Sequence, residues 1–388
     1  MDFSESEDIQ MYRESVRRFL DKECPVEKIL EWEKADELPR SLMYKMRDLG
    51  ILGLTVPEEY GGMGRQILAM TAVMDEMAAR WGTITGYYNM SVAYGSLNIV
   101  SKGSEAQKKE YLPRTLTGDA LFAYGLSEPD TGSDLADVKT RAERRDGKVI
   151  VNGGKRWTSG ANMADYILAL VRSGPVEERR RNLSFIIMPV DAPGVTIVKT
   201  DCMGCQGIPT HDVTFDNVTL DEDKILGGVE GWNKGWQMLA GPALEIEKLT
   251  PTIIALGIAR GALREAWDYS QQRVQGGKRI CAHQAVRHVL SECQTKLKAC
   301  ELMTYNAAWK VENDLPSAVD TSMAKLFVSE TAKEIVLNCQ QYVMGAYGYA
   351  KGFQMERFVR DILSVPIVGG SSAIQRNNIA NLMKLPRE

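Results

Sequence analysis

Histidine is scarce in this chain. Only His211, His283 and His288 occur, and the last two stand five residues apart, a poor helical spacing for sharing one ligand. A histidine-built metal site is therefore not expected. The seven cysteines, at 24, 202, 205, 281, 293, 300 and 339, are odd in number and scattered, which fits a reducing compartment and not a disulfide framework. No apolar run approaches the roughly 18 residues that a membrane-spanning helix needs, so no membrane insertion is expected. The opening residues, MDFSESEDIQ, are acidic and lack the apolar stretch of a secretory signal or the basic character of a transit peptide. A net charge of −4 supplies no basic field for nucleic acid or an anionic membrane. No GxGxxG lies between a strand and a helix, so dinucleotide binding by that route is unsupported. Repeats are also missing. A cytoplasmic location is the expectation.

What is present divides into three textures. At roughly 100–200 residues per domain, 388 residues make room for two or three domains. From 1 to 120 the pattern is helical, with Ile9, Tyr12, Val16 and Leu20 at three- and four-residue spacing. Ser104, with a glutamate behind it, reads as a helix cap. From 121 to 232 come short β-branched runs, KVIVNG, DYILALV, LSFIIMPV and GVTIVKT, separated by turn formers. No helical crossover separates them, so antiparallel pairing in a barrel or sandwich is expected. From 233 to 388 the helical period returns, with Pro316 the single proline between 252 and 365. Long helices are predicted over 252–273, 283–312, 316–344 and 353–363, a C-terminal four-helix bundle. The fold class is α+β, in the order α, β, α.

Four segments carry candidate chemistry. AYGLSEPDTGSD (123–134) pairs small residues, which permit close backbone approach, with the hydroxyls of Ser127 and Ser133. By itself it also reads as a plain connector. NGGKRWTSGAN (152–162) sets Trp157 and Ser159 two apart, on one face of a strand, an aromatic wall beside a hydroxyl. A buried tryptophan on a sheet fits that pattern equally. In LEIEKLTP (244–251), Glu245 and Glu247 are about 200° apart on a helix and face different surroundings. Pro251 cannot donate to the carbonyl of Glu247, so a kink there is expected, aiming the carboxylate inward. A solvated helix-start carboxylate is the plain alternative. RDILSVPIVGGSSAIQR (360–376) joins an apolar stretch to Gly369 and Gly370, a backbone open to close approach or simply a turn. Cys202 and Cys205 form a lone CxxC without further ligands and read as local packing.

Taken together, these segments resemble the acyl-CoA dehydrogenase family, over nearly the whole chain. YGLSEPDTGSD is similar to the family's Y-x-x-T-E-P-x-A-G-S-D, and NGGKRWTSG to its N-G-x-K-x-W-I-T-N. RDILSVPIVGGSSAIQR matches R-D-x-x-x-x-x-I-Y-E-G-T-x-x-I-Q-R without a gap, and VTFDNV lies between. The resemblance implies a dehydrogenase that binds FAD between the β domain and the C-terminal helices. It places Tyr124, Leu126, Ser127, Gly132, Ser133, Trp157 and Ser159 at the flavin. It also places Arg273, Gly345, Ala346, Ser371 and Ala373 at the cofactor, Arg273 reaching across a subunit interface. Ser133, Tyr88, Leu244, Glu245, Lys248 and Gly370 are implied at the acyl-CoA. Tyr87, Tyr88 and Asn89 precede an apolar helix that borders the acyl pocket in the family.

Departures from the pattern matter. Many members carry the base as the glutamate of Y-E-G-T, and here that position is Gly369. An isovaleryl- and long-chain-type subgroup instead places the base in L-D-L-E-R, which LEIEKL matches at Glu247, with Lys248 in place of the arginine. The implied reaction is α,β-dehydrogenation of an acyl-CoA thioester. Glu247 takes the α-proton, and the β-hydride goes to flavin N5. The Gly369 N–H and a ribityl hydroxyl of FAD hold the thioester oxygen. Glycine at 369 removes bulk, which predicts a branched, cyclic or bulky acyl group. An electron-transferring flavoprotein and a homotetramer are implied as partners. The reverse reaction, as in a crotonobetainyl-CoA reductase, stays open, as do a catalytically silent flavoprotein and a non-redox lyase.

Overall fold

The computed structural model describes residues 4–240 and 243–386. Helices α1 (Glu7–Glu23), α2 (Val26–Ala35), α3 (Arg40–Asp48), α4 (Ile67–Arg80) and α5 (Gly82–Ser91) open the chain. A π-helical segment, Val92–Leu97, leads into α6 (Asn98–Lys102) and then α7 (Glu105–Thr117). Ser6 caps α1 by accepting from the Ile9 N–H, and Glu7 and Asp8 sit where the helix dipole favours anions. At α7 the cap is reciprocal. Ser104 Oγ accepts from the Gln107 N–H, and Gln107 Oε1 accepts from the Ser104 N–H, so the glutamine, not the adjacent glutamate, completes the box. Almost every residue of α4 is buried, as expected of a helix that is apolar all round.

Seven strands form one curled sheet: β1 (Phe122–Gly125), β2 (Arg141–Arg145), β3 (Lys148–Ser159), β4 (Tyr166–Arg172), β5 (Leu183–Pro189), β6 (Val195–Thr200) and β7 (Thr210–Asp221). Pairing is antiparallel in β2–β3, β3–β7, β6–β7 and β4–β5. The expectation of antiparallel pairing throughout is corrected at β1, which runs parallel to β4 from Phe122 opposite Tyr166 to Gly125 opposite Ala169. The β2–β3 hairpin supplies the crossover that a parallel pair requires. Alternation along β4 and β5 divides their buried residues between two cores. Ile167, Ala169, Ile186 and Met188 join the N-terminal helices, whereas Leu168, Leu170, Phe185 and Ile187 pack with Tyr111 and Leu112 of α7. Both faces of these strands are thus covered, which explains why they read as unbroken apolar runs.

The C-terminal part holds α8 (Gly235–Leu239), α9 (Ala243–Gln272), a hairpin of β8 (Val274–Gln275) and β9 (Lys278–Arg279), α10 (Gln284–Glu312), α11 (Ala318–Asn338), α12 (Gln354–Ile362) and α13 (Ser372–Leu382). A π-helical turn, Cys339–Met344, extends α11. Helix α9 starts well before the predicted residue 252 and runs through Pro251 without interruption. The carbonyl of Glu247 that Pro251 leaves without its helical donor accepts instead from Thr250 Oγ1 at 3.1 Å. Helix α13 lies beyond the four predicted helices, its start fixed by Ser371, whose hydroxyl accepts from the Ile374 N–H. No helix of the described residues is long and apolar enough to cross a membrane.

Candidate active site

Helix α9 aims its two glutamates differently, as their angular separation requires. Glu245 turns toward α11, where its carboxylate accepts from Lys248 Nζ at 3.1 Å and from Thr321 Oγ1. Lys248 is buried in that pair. Glu245 and Lys248 therefore satisfy each other, and the substrate contact expected of both is a proposal only. The Glu247 carboxylate has no hydrogen-bond partner among the described residues and is partly accessible. Burial raises it to about 7, against the opposing charges of Lys102 and Lys248.

An aromatic wall faces Glu247. Tyr94 stacks on Tyr124 at 5.5 Å between centroids, and Tyr124 stacks on Phe185 at 5.9 Å. Burial lifts the hydroxyls of both tyrosines, and the Glu247 charge adds to it. The Tyr124 hydroxyl is buried and lacks a hydrogen-bond partner among the described residues. Tyr94 and Lys102 escaped sequence reasoning, and Tyr88 took the place of the first. Tyr88 is 0% exposed and donates its hydroxyl to the Ile51 carbonyl at 2.8 Å, so it belongs to the core and not to the acyl pocket. Tyr87 is likewise buried. The sequence carried no signal for Tyr94, because the π-helical distortion at Val92–Leu97, a feature frequent at functional sites, is invisible in residue types.

The Gly369–Gly370 turn crosses α9 at Pro251, one helical turn beyond Glu247. Gly369 has φ +62°, and a Cβ there would stand 2.8 Å from Pro251 Cγ. The place that a Cβ would take is thus held by the proline ring. Gln375 Nε2 donates to the Gly370 carbonyl at 3.0 Å and pins the turn. The N–H groups of Gly369 and Gly370 meet no acceptor among the described residues, so they remain free to hold an oxyanion. Leu244 flanks the same helix end, partly buried.

On the sheet, Trp157 is 53% exposed and Ser159 lies on the same side, with the buried Thr158 between them. The β3–β7 register shifts between Lys155 and Thr158, and Trp157 adopts φ +64°. A non-glycine residue held in the left-handed region of a strand is strained, and such strain clusters at ligand sites. Ser159 Oγ is 3.0 Å from Thr210 Oγ1, and the Arg156 guanidinium covers the indole at 4.8 Å. An exposed, strained indole beside hydroxyls suits the planar ring of FAD. Elsewhere, Ser372 Oγ in the Gly-Gly-Ser-Ser turn is buried without a partner, and Ser371 and Ala373 flank it. Arg273 lies over the Tyr347 ring at 5.2 Å, which brings the arginine together with the Gly345–Ala346 segment. Gly345 has φ +57° and ψ −129°, a conformation open essentially to glycine alone.

The loop 123–134 is anchored by a pair that sequence reasoning missed. Glu128 accepts from the backbone N–H of Lys139 at 2.6 Å and of Thr140 at 2.9 Å, and from Lys155 Nζ at 2.7 Å. Burial would lift its carboxyl, but Lys155 and the backbone donors outweigh that and hold it low. Desolvation pulls the Lys155 ammonium down to about 8. Lys155 Nζ also donates to the Leu126 carbonyl, and the Arg156 N–H to the Ser127 carbonyl. Gly132 and Ser133 stay exposed at the tip. Lys155→Met is expected to destabilise the protein by about 3–5 kcal/mol, because it leaves a buried carboxylate unpaired. Equilibrium denaturation checks this, and a loss below about 1 kcal/mol contradicts the anchoring role.

The RD pair of 360–376 is structural. Asp361 accepts the Cys205 N–H at 2.7 Å, and Arg360 pairs with Glu356 and Glu33. That bond places the Cys202–Cys205 loop against α12.

Comparison with known proteins gives the family. The acyl-CoA dehydrogenase N-terminal, middle and C-terminal domain families match residues 6–119, 123–218 and 233–384. The chain is 34% identical to an acyl-CoA dehydrogenase of Bacillus subtilis, over 94% of this chain and 95% of that one. It is 31% identical to the caffeyl-CoA reductase-Etf complex subunit CarC of Acetobacterium woodii, over 97% and 98%. The solved structure of butyryl-CoA dehydrogenase from Megasphaera elsdenii superposes with a TM-score of 0.93 at 26% identity, covering 99% of this chain and 100% of that one. The chain belongs to the acyl-CoA dehydrogenase family of FAD-dependent oxidoreductases.

Proposed function

We propose that the protein dehydrogenates an acyl-CoA thioester between Cα and Cβ, with Glu247 as the base. The observation that carries this reading is a carboxylate without a partner, set one helical turn from a backbone turn whose N–H groups are free. An α-proton beside a thioester is weakly acidic. Its removal needs a positioned base and donors on the developing enolate oxygen. Glu247 supplies the first, and the N–H groups of Gly369 and Gly370 supply the second. The aromatic wall of Tyr94 and Tyr124 excludes water and keeps the carboxylate basic. FAD, when bound against Trp157 and Ser159, supplies the acceptor for the β-hydride. Arg273, Gly345, Ala346, Ser371 and Ala373 are the further groups proposed to hold it. The exposed β8–β9 hairpin that follows Arg273 suits contact with a neighbouring subunit of a homotetramer. An electron-transferring flavoprotein is the proposed electron partner, by analogy with the Etf-associated relative.

A reductive role also has support, from the caffeyl-CoA reductase relative, and a cyclic or otherwise bulky acyl group fits that likeness. Anaerobic addition of straight, branched, cyclic and aromatic acyl-CoAs to the holoenzyme is expected to bleach the flavin for at least one of them. No bleaching with any thioester overturns the dehydrogenase reading. The pH dependence separates the directions. Dehydrogenation needs the ionised base, so kcat/KM rises as pH increases through about 7 and then levels. Reduction of an enoyl-CoA needs the protonated acid, so its kcat/KM falls over the same interval.

A further inference from the structure

Resting on the acyl-CoA reading, the geometry points to Lys102 as a specificity residue that takes a carboxylate at the distal end of the acyl group. Lys102 is the last residue of the short helix α6, behind the π-helical segment that carries Tyr94. Its ammonium lies 5.6 Å from the centroid of the Phe185 ring. Phe185 is the far member of the stack that begins at Tyr94 and passes through Tyr124. The aromatic wall that faces Glu247 at one end therefore finishes under a cation at the other.

That cation is poorly satisfied. An ammonium has three donors, and among the described residues Lys102 Nζ has one hydrogen-bond acceptor, the neutral amide oxygen of Asn98. Among the described residues no carboxylate lies within the 4.0 Å of an ion pair. Desolvation lowers Lys102 to about 8, with Glu247 the nearby charge that opposes the shift. A half-buried charge gains from a partner of opposite sign, and the half-buried Lys102 has none at ion-pair distance. Glu247 is not the missing partner, since the chemistry requires it to reach the α-carbon. An acyl chain laid along the wall, with its α-carbon at Glu247, directs its far end toward Lys102. A carboxylate there would neutralise the ammonium. The buried Tyr124 hydroxyl, without a partner along the same wall, offers a further donor to an oxygen-bearing chain.

The test compares thioesters matched in length, pentanoyl- against glutaryl-CoA and hexanoyl- against adipyl-CoA, by titration calorimetry on the holoenzyme and by anaerobic flavin bleaching. The carboxylate-ended member of at least one pair is expected to bind about 30-fold or more tightly than its neutral partner. Lys102→Met should remove that preference while leaving affinity for the neutral member within about threefold. Lys102→Arg should retain part of it. In Lys102→Met the pH midpoint near 7 should also move upward, because a charge that favours ionised Glu247 is gone. Equal binding of both members by the unaltered protein overturns the inference, as does an equal loss for both in Lys102→Met, which would leave Lys102 acting only on Glu247. Bleaching by neutral thioesters with no carboxylate preference sinks this inference alone. Absence of binding by every thioester sinks the acyl-CoA reading with it.

Discussion

Glu247→Gln is expected to keep its flavin absorbance and to lose turnover by about 10²–10⁴-fold, the range that a positioned general base contributes. Glutamine preserves the shape of the side chain and removes its ability to take a proton. The partly accessible carboxylate has no hydrogen-bond partner among the described residues, so the substitution breaks no bond seen to hold the fold. Stability should change little or rise slightly, since burial already disfavours the charge that the variant removes. The dependence of kcat/KM on pH near 7 should vanish with the carboxylate. Single-turnover bleaching separates chemistry from binding: the spectral change on substrate binding persists, and the slow step is bleaching itself. Undiminished bleaching in this variant would remove Glu247 from the reaction. The Glu245→Gln variant should behave differently. It loosens the contacts to Lys248 and Thr321 and lowers stability, with a smaller effect on the chemical step.

The contrast between those two glutamates was legible in residue spacing, because helical geometry alone separates positions two apart. The placement of Trp157 and Ser159 on one side of β3 was legible for a similar reason, although the strain at Trp157 arises from a register shift that no single residue announces. Lys102 was not legible. A lysine at the end of a short helix reads as a solvated surface charge, and only the packing of β5 beneath it makes it a half-buried one. Tyr88 misled because an aromatic run in an apolar helix fits a pocket wall and a core equally well. The π-helical segment that follows brings Tyr94 toward Glu247 instead. The parallel β1–β4 pair was hidden because its crossover is a hairpin rather than a helix. Glu128 and Lys155 each sat inside a recognised motif, yet their pairing is tertiary and joins two segments 27 residues apart.

Gly369→Glu is expected to fail as a substitute base, although it restores the residue that many relatives carry at that position. Two features oppose it. The backbone at 369 has φ +62°, where a Cβ costs about 1–2 kcal/mol. That Cβ would also stand 2.8 Å from Pro251 Cγ, within a helix that cannot shift without moving Glu247. Overpacking of this kind costs about 1–3 kcal/mol more. The turn should therefore move, carrying with it the N–H groups proposed to face the developing enolate oxygen. The double variant Glu247→Gln with Gly369→Glu should then remain as inactive as Glu247→Gln alone. Gly369→Ala tests the backbone part in isolation and should lower both stability and turnover without adding a carboxyl group. Combining it with Pro251→Ala relieves the contact but not the dihedral strain, so part of the loss should return as a coupling between the two sites. Recovery of turnover in Glu247→Gln with Gly369→Glu would show instead that the turn can accept a side chain. It would follow that proline at 251 and glycine at 369 are independent, and not two halves of one arrangement that commits the base to α9.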